Sequence, residues 1–350
     1  MDQLSKRLKL AEQSWKQDKG CSDCSQKITG LATSCSVIMA TFNEGTNLTN
    51  TIRACWDTNG VDEIVIVDNA STDNTFEELN RIRQDTASKK SVIKHMGLPP
   101  ITKISLSDSI GVHRGLNLAA SFATSEVILV YSGHMNCSGQ KLKQLATEAM
   151  DREAIVQAYS RGMSLDSRMS CWGSQWVEDE NKIFDLKWNT RIPKEEYTTI
   201  DGLMGACYAI PRTIWDKLGG FCNFAGTWGF LEGFLSFKAN IMNIPIFVSR
   251  DIFARHKYKS KNENIIPASE IWQSRLACFK IMLEDSTWET LLPLLILRAG
   301  TYFSEEFLNN PELLKEHKRI QSLRQISDEE FFSLKVPKLW EVIERLKHVA

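Results

Sequence analysis

The chain has 350 residues, with 42 Lys+Arg against 43 Asp+Glu and a net charge of −1. The length and a hydrophobic share of 43% allow a real core in one large domain or two moderate ones, and the charge balance argues against a dedicated nucleic-acid binder. The region after Met1 lacks the apolar stretch of a signal peptide, and Leu291–Leu297 is too short and Pro-broken to span a bilayer. Nine cysteines without a secretory signal point to reduced thiols and a cytoplasmic protein. Cys21 and Cys24 form a C-x-x-C pair that lacks the second pair or neighbouring histidines of a zinc site.

Residues 1–34 are polar and charged, with a short helical pattern in Leu4, Leu8, Leu10 and Ala11. They read as an N-terminal arm that packs on the main body or on another subunit. Ser36–Phe42 is a predicted buried strand, broken at Asn43, Glu44 and Gly45. A helix follows from about Thr46 to Asp57, with Leu48, Ile52 and Cys55 on one face. Glu63–Asp68 is a second buried strand, and Ser71 or Thr72 is placed to cap a helix starting near Asn74. Two near-continuous apolar strands separated by a helix mark a βαβ unit and therefore a parallel sheet. The G-x-G-x-x-G fingerprint and the P-loop are both absent, which argues against an ordinary dehydrogenase or NTPase.

Glu126–Tyr131 is the next buried strand, and it changes abruptly to Ser132, Gly133 and His134. Open α/β sheets place ligands at such C-terminal strand ends. His134 is there as a potential metal ligand, and Gly133 leaves room for a phosphate group. After the first two strands, Asp68 is placed to accept the N–H of a uracil ring, and Thr41 and Glu44 to hold ribose or base. The alternative for Asp68 is to cap its own turn. Residues 139–150 have a helical pattern, and Ala154–Tyr159 is a strand. The irregular stretch 160–200 carries Met163, Met169, Trp172, Trp176 and Trp188, either as the cover of a ligand cleft or as surface packing. Leu203–Pro211 is predicted to be a strand leading into a helix with Pro211 in its first turn, and Ile244–Ser249 a final strand. Beyond residue 260 the pattern is helical, with Ile271, Leu276, Phe279, Ile281 and Met282 on apolar faces. The basic residues Lys315, Lys318, Arg319 and Arg324 are interspersed with acids and read as a solvated face.

Ser36–Glu44, followed by Ile64–Thr75, resembles the opening of family 2 glycosyltransferases, and the likeness continues through Gly111–Ala120 to His134. From there it resembles the polypeptide N-acetylgalactosaminyltransferases, whose Asp-x-His motif is similar to Ser132-Gly133-His134. Leu218–Phe221 and Trp228–Lys238 are similar to the family pattern Gly-Gly-Phe followed by Trp-Gly-x-Glu, and His256 resembles a late metal-binding histidine in both families. The resemblance implies an α/β fold, a GT-A-type nucleotide-binding sandwich with a mostly parallel central sheet and a C-terminal helical extension. It divides the chain into the arm 1–34, a glycosyltransferase domain 35–260 (nucleotide-binding half 35–135, acceptor half 136–260) and a helical region 261–350.

The same resemblance implies a metal-dependent hexosyl- or N-acetylhexosaminyltransferase. His134 and His256 would hold Mn2+ or Mg2+ on the diphosphate of a nucleotide-sugar donor, UDP-linked. Thr41, Glu44, Asp68, Arg114, Ser132 and Trp228 would surround that donor. Glu232 falls at or beside the family's acidic position, where inverting members take the acceptor's proton, and Trp228, Phe230 and Phe234 are placed to raise its pKa by desolvation. Retaining N-acetylgalactosaminyltransferases need no such base, so the stereochemistry stays open. Two positions depart from the pattern. Ser132 stands where both families carry an Asp, which weakens the metal site, and Leu116 occupies the family-2 Arg position, with Arg114 two residues earlier. A non-catalytic sugar-nucleotide-binding or scaffold protein with a degenerate metal site is the alternative. The acceptor is open among a glycan, a protein, a small molecule and, less favoured by the charge, modified DNA. The C-terminal helices are a candidate homo-oligomer interface.

Overall fold

The computed structural model of the chain describes residues 33–55, 60–75, 77–81, 99–163, 169–177, 184–205, 207–258 and 266–348. Residues 1–32 of the expected N-terminal arm 1–34, with the Cys21/Cys24 pair, lie outside these residues. The apolar runs near the start become strands β1 (Cys35–Thr41), β2 (Glu63–Asp68), β3 (Ile101–Ser105) and β4 (Val127–Tyr131), all parallel, in the spatial order β4-β1-β2-β3. Helix α1 (Thr46–Ala54) follows β1, and helix α2 (Val112–Phe122) follows β3. Strand residues alternate between two cores. Val37, Met39, Ile64, Ile66 and Leu129 meet Leu48 and Ile52 of α1, whereas Ile38, Val65, Val67, Ile128 and Val130 meet Leu116, Ala119 and Ala120 of α2. Burial on both faces is why these strands read as continuous apolar runs rather than alternating ones. Because β1 has β2 on one side and β4 on the other, the strand order reverses there, the position at which open α/β sheets bind ligands beyond the C-terminal strand ends.

The chain continues through β5 (Met135–Asn136), α3 (Gly139–Asp151), β6 (Ile155–Gly162), β7 (Ser170–Cys171) and the pair β8 (Ser174–Trp176) and β9 (Leu186–Trp188). Then come β10 (Tyr197–Thr199), β11 (Cys207–Pro211), α4 (Arg212–Leu218), α5 (Leu231–Ile241) and β12 (Ile246–His256). The full path is β10-β12-β6-β11-β4-β1-β2-β3. β11 runs antiparallel to both β4 and β6, while β12 runs parallel to β6, so the sheet is largely parallel with an antiparallel insertion. The register of β12 against β6 shifts between Ser249 and Phe253, and Ser249 Oγ accepts the amides of Asp251 and Ile252. A bulge of this kind bends a strand, and here it carries the end of β12 across to β5, pairing His256 with Met135.

Local details differ from the sequence expectation for physical reasons. Ser71 and Thr72 do not cap the helical turn that begins at Thr75. Ser71 Oγ accepts the Asn43 amide and Thr72 N donates to Asn43 Oδ1, while Asp73 accepts the Thr75 amide at 2.9 Å. The β11 strand begins at Cys207 rather than Leu203, because Leu203 N is taken by Ser236 Oγ and Met204 N by Gln157 Oε1. Trp172 and Trp176 of the aromatic stretch do not line a cleft. Both are buried: Trp172 stacks on Tyr159 and Trp176 packs edge-on against Phe237 and Phe331.

Phe331 belongs to the C-terminal helices α6 (Ala268–Met282), α7 (Asp285–Ala299), α8 (Glu305–Leu308), α9 (Pro311–Leu323), α10 (Asp328–Lys335) and α11 (Pro337–Lys347). Their apolar faces, including Phe279, Leu291, Leu313, Ile320, Phe332 and Ile343, join the same core as α2 and α5. None of the helices is long and apolar enough to cross a membrane among the described residues, and the described cysteines are free thiols. The helices are pinned by a buried ion pair: Arg324 Nη1 lies 2.9 Å from Asp328, whose other oxygen accepts the Glu284 amide at 2.8 Å. The two side chains are 7% and 0% exposed. Removing one partner of such a pair leaves an uncompensated buried charge. Asp328→Ala is expected to lower stability by about 3–5 kcal/mol, read by urea denaturation.

Candidate functional site

His134 follows β4 and His256 ends β12, and the β5–β12 pairing brings them together. Their Nε2 atoms are 3.1 Å apart, although the residues are 122 positions apart in the chain. Glu44 Oε1 lies 2.9 Å from His134 Nδ1. With the Nδ1 proton donated to that carboxylate, Nε2 of His134 presents its lone pair toward His256. The loop between β4 and β5 is clamped from α1. Thr51 Oγ1 donates to Gly133 O at 2.9 Å and accepts the Met135 amide at 3.1 Å. Thr75 Oγ1 accepts the amides of Glu44 and Gly45 at 2.9 and 2.8 Å, fixing the turn that carries Glu44. On the other side, the Tyr258 ring stands edge-on to His256 with centroids 4.6 Å apart, and its hydroxyl is 2.7 Å from Ser160 Oγ.

The imidazole pair fits a shared cation. Two nitrogens each about 2.1 Å from one ion at right angles are about 3.0 Å apart, close to the 3.1 Å observed. A carboxylate on the far nitrogen of a ligating histidine is the usual outer partner of such a site. Among the described residues no group of three or more His, Cys, Asp or Glu is arranged around one point to hold a metal ion. Among the described residues the pair therefore offers two imidazoles.

The other residues singled out in the sequence divide into two groups. Thr41, Glu44, Asp68 and Ser132 lie on the edge that carries the imidazole pair, at or just after the ends of β1, β2 and β4. Glu44, expected to hold ribose or base, also directs Oε1 at His134. Thr41 Oγ1 donates to Val67 O at 3.3 Å, and Asp68 Oδ1 accepts the Ser71 amide at 3.2 Å. Thr41 thus ties β1 to β2 and Asp68 braces the turn that follows it, and both side chains are buried. Ser132 is half-buried in the same loop as His134.

Arg114 and Trp228 belong to the second group, around residues 226–229. The Val112 amide at the start of α2 bonds Thr227 O, and His113 Nε2 lies 2.8 Å from Gly229 O. Burial lowers the His113 pKa to about 4, so the ring is neutral. Arg114 bonds Ile110 O through Nε, and burial lowers its pKa. Trp228 is 53% exposed. Glu232, in the first turn of α5, lies against Gly205, where an added Cβ would be 3.0 Å from its Oε1. Gly205 precedes β11, whose Cys207 pairs with Tyr131, the residue before Ser132, so Glu232 reaches the same sheet edge as His134. Burial raises the Glu232 pKa to about 6.

Residues 36–219 match the model of glycosyl transferase family 2. Among solved structures, the chain is similar to GalNAc-T7 with UDP, GalNAc and Mn2+, with a TM-score of 0.64 and 14% identity over 89% of this chain. It spans 58% of the GalNAc-T7 chain. It is also similar to residues 1–349 of S. aureus TarS in complex with UDP-GlcNAc, with a TM-score of 0.52 and 14% identity, covering 90% of this chain and 88% of that one. At this identity the likenesses show the fold. No curated protein matches the chain.

Thr51, Thr75 and Asn43 hold the site, yet none stood out in the sequence. The available signal was Thr51, a polar residue on the apolar face of α1. Gly133 is required by close approach: a Cβ there would lie 3.0 Å from Glu44 Cγ and 3.1 Å from Thr41 Cγ2. Since both neighbours are held by hydrogen bonds, Gly133→Ala is expected to cost about 1–3 kcal/mol, measured as a lower melting temperature.

Proposed function

The chain belongs to glycosyl transferase family 2, and from that premise we propose that it transfers a hexosyl or N-acetylhexosaminyl group from a UDP-linked donor to an acceptor, with a divalent cation at the imidazole pair. The observation that carries this reading is the 3.1 Å approach of His134 and His256, with Glu44 behind His134. The chemistry supplied there by Mn2+ or Mg2+ is Lewis-acid stabilisation of the departing diphosphate. His134 and His256 would be the protein's ligands, and Glu44 would hold the His134 tautomer. Ser132 is a neutral, weak ligand, so a cation held by the two imidazoles would draw most of its compensating charge from the donor diphosphate. Asp68 and Thr41 shape the base and ribose end of the crevice, while Arg114 and Trp228 close its other side.

Glu232 takes the proton from the acceptor hydroxyl in this reading. Its raised pKa suits a base that works near neutral pH, and attack on the face opposite the departing diphosphate inverts the anomeric centre. Hydrolysis of the nucleotide sugar, with water as the acceptor, gives an assay that needs no knowledge of the natural one.

His134→Ala and His256→Ala are each expected to abolish the Mn2+-dependent part of UDP binding in calorimetry. Glu44→Gln is expected to weaken cation affinity by about 10- to 100-fold, as loss of an outer partner does. UDP binding by the parent that ignores Mn2+, with no donor hydrolysis, would instead favour the scaffold reading that Ser132 suggests.

For Glu232 the sign of the pH effect follows from its pKa of about 6. The base must be ionised, so donor hydrolysis is expected to fall as pH drops through about 6. Glu232→Gln should remove that limb and slow turnover by about 100- to 10,000-fold. A raised carboxyl pKa means the folded chain holds more protons than the unfolded one between the two pKa values. Stability therefore falls as pH rises through that window, and Glu232→Gln should melt a few degrees higher than the parent at pH 7.5.

A further inference from the structure

The end of β6 and the end of β12 carry two arginines that the proposed transfer does not use. The register sets Phe253 beside Tyr159 and Arg255 beside Arg161. Side chains alternate along a strand, so these four stand on one face, while Ala254 and His256 belong to the other. The contacts agree. Tyr159 packs on Phe253 with ring centroids 5.6 Å apart, the Arg255 guanidinium lies 5.6 Å from the Phe253 centroid, and Ala254 joins the opposite core.

Two arginines in register on neighbouring strands, whose backbones run about 4.8 Å apart, set like charges side by side. Among the described residues neither meets a carboxylate, and Arg255 Nη1 is buried without a hydrogen-bond partner. A buried donor left unmade is costly. An oxyanion between the two guanidinium forks would remove both penalties at once, since the planar fork matches phosphate and carboxylate geometry.

The face also identifies which substrate the anion belongs to. Gln157 shares it with Tyr159 and Arg161, and its Oε1 accepts the Met204 amide, next to the Gly205 that touches Glu232. The arginines thus share a face with the proposed base and lie opposite the imidazole pair. We propose that Arg161 and Arg255 form an oxyanion subsite for the acceptor, so that the molecule receiving the sugar carries a phosphate or carboxylate group. The inference rests on the transfer reading given above.

The test is calorimetric titration of the full chain with phenyl phosphate, benzoate and neutral phenyl β-glucoside. Phenyl phosphate or benzoate should bind more tightly than the glucoside and weaken with added salt. The tighter of the two identifies the group as phosphoryl or carboxyl. Arg161→Gln and Arg255→Gln should each weaken anion binding about tenfold, with Arg255→Lys in between because it keeps the charge and loses the fork. UDP affinity with Mn2+ should stay at the parent value in these variants, which also reports intact folding. His134→Ala, which tests the donor reading, should leave anion binding unchanged, so the two readings can fail separately. Equal binding of anion and glucoside, parent-like anion binding in the double Gln variant, or loss of UDP affinity in the arginine variants would each overturn the proposal.

Discussion

Two imidazole nitrogens held 3.1 Å apart, from strands far separated in the chain, are the constraint that the surrounding structure serves. Two neutral lone pairs pointed at each other gain nothing. The arrangement becomes favourable only when a proton or a cation lies between them. The protein nevertheless invests in the approach from every side. The bulge after Ser249 redirects β12, the β5 pairing holds His256 beside Met135, Thr51 clamps both ends of the Gly133–Met135 loop, and Glu44 fixes the His134 ring. Gly133 is the steric condition for the last of these, because a side chain there would displace the Glu44 stem.

The sheet divides the chemistry between its faces. The α1 side carries Glu44, Thr51 and the imidazole pair. The opposite side carries Gln157, Arg161, Arg255 and the approach to Glu232. Under the proposed transfer, donor and acceptor would approach one strand edge from different walls, at the point where strand order reverses. The electrostatics differ accordingly. Glu232 is raised toward neutrality by burial alone, with no cation among its causes, whereas Glu44 is spent on a histidine. Two carboxylates of one residue type thus sit in different electrostatic surroundings.

Much of the fold was legible because β1, β2 and β4 are buried on both faces and therefore carry unbroken runs such as Val37–Met39 and Ile64–Val67. The antiparallel direction of β11 was not legible, since side-chain periodicity does not encode strand direction. His134 and His256 were each visible as a polar break at a strand end, and family resemblance paired them. Their physical meeting depends on a bulge between Ser249 and Phe253 that no Gly or Pro announces. The contact of Glu44 with His134 was not legible, because the two residues lie 90 positions apart in the chain. Trp172 and Trp176 could be read as cleft cover or as packing, and their partners Tyr159 and Phe331 are distant enough in the chain that the sequence does not decide between them. Arg161 and Arg255 became conspicuous only through the register that sets them side by side.

The C-terminal helices bear on the site through α5, which carries Glu232 at one end and Lys238 near the other. Lys238 is fully buried, donates to Leu218 O at 2.7 Å and to Gly220 O, and faces the Phe234 ring at 4.1 Å. Burial lowers its pKa to about 8. An ammonium so placed is stabilised by those carbonyls, and it locks α5 to the end of α4. Arg319 of α9 bonds the neighbouring Lys217 and Leu218 carbonyls from outside, so the same helix end is gripped by cations from two elements, as helix C-termini favour. The position of Glu232 at the sheet edge therefore depends on packing that runs into α9. A helical region that shares one apolar core with α2 and α5 acts as the rigid backing of α5, because displacing it would open the core on which α5 rests.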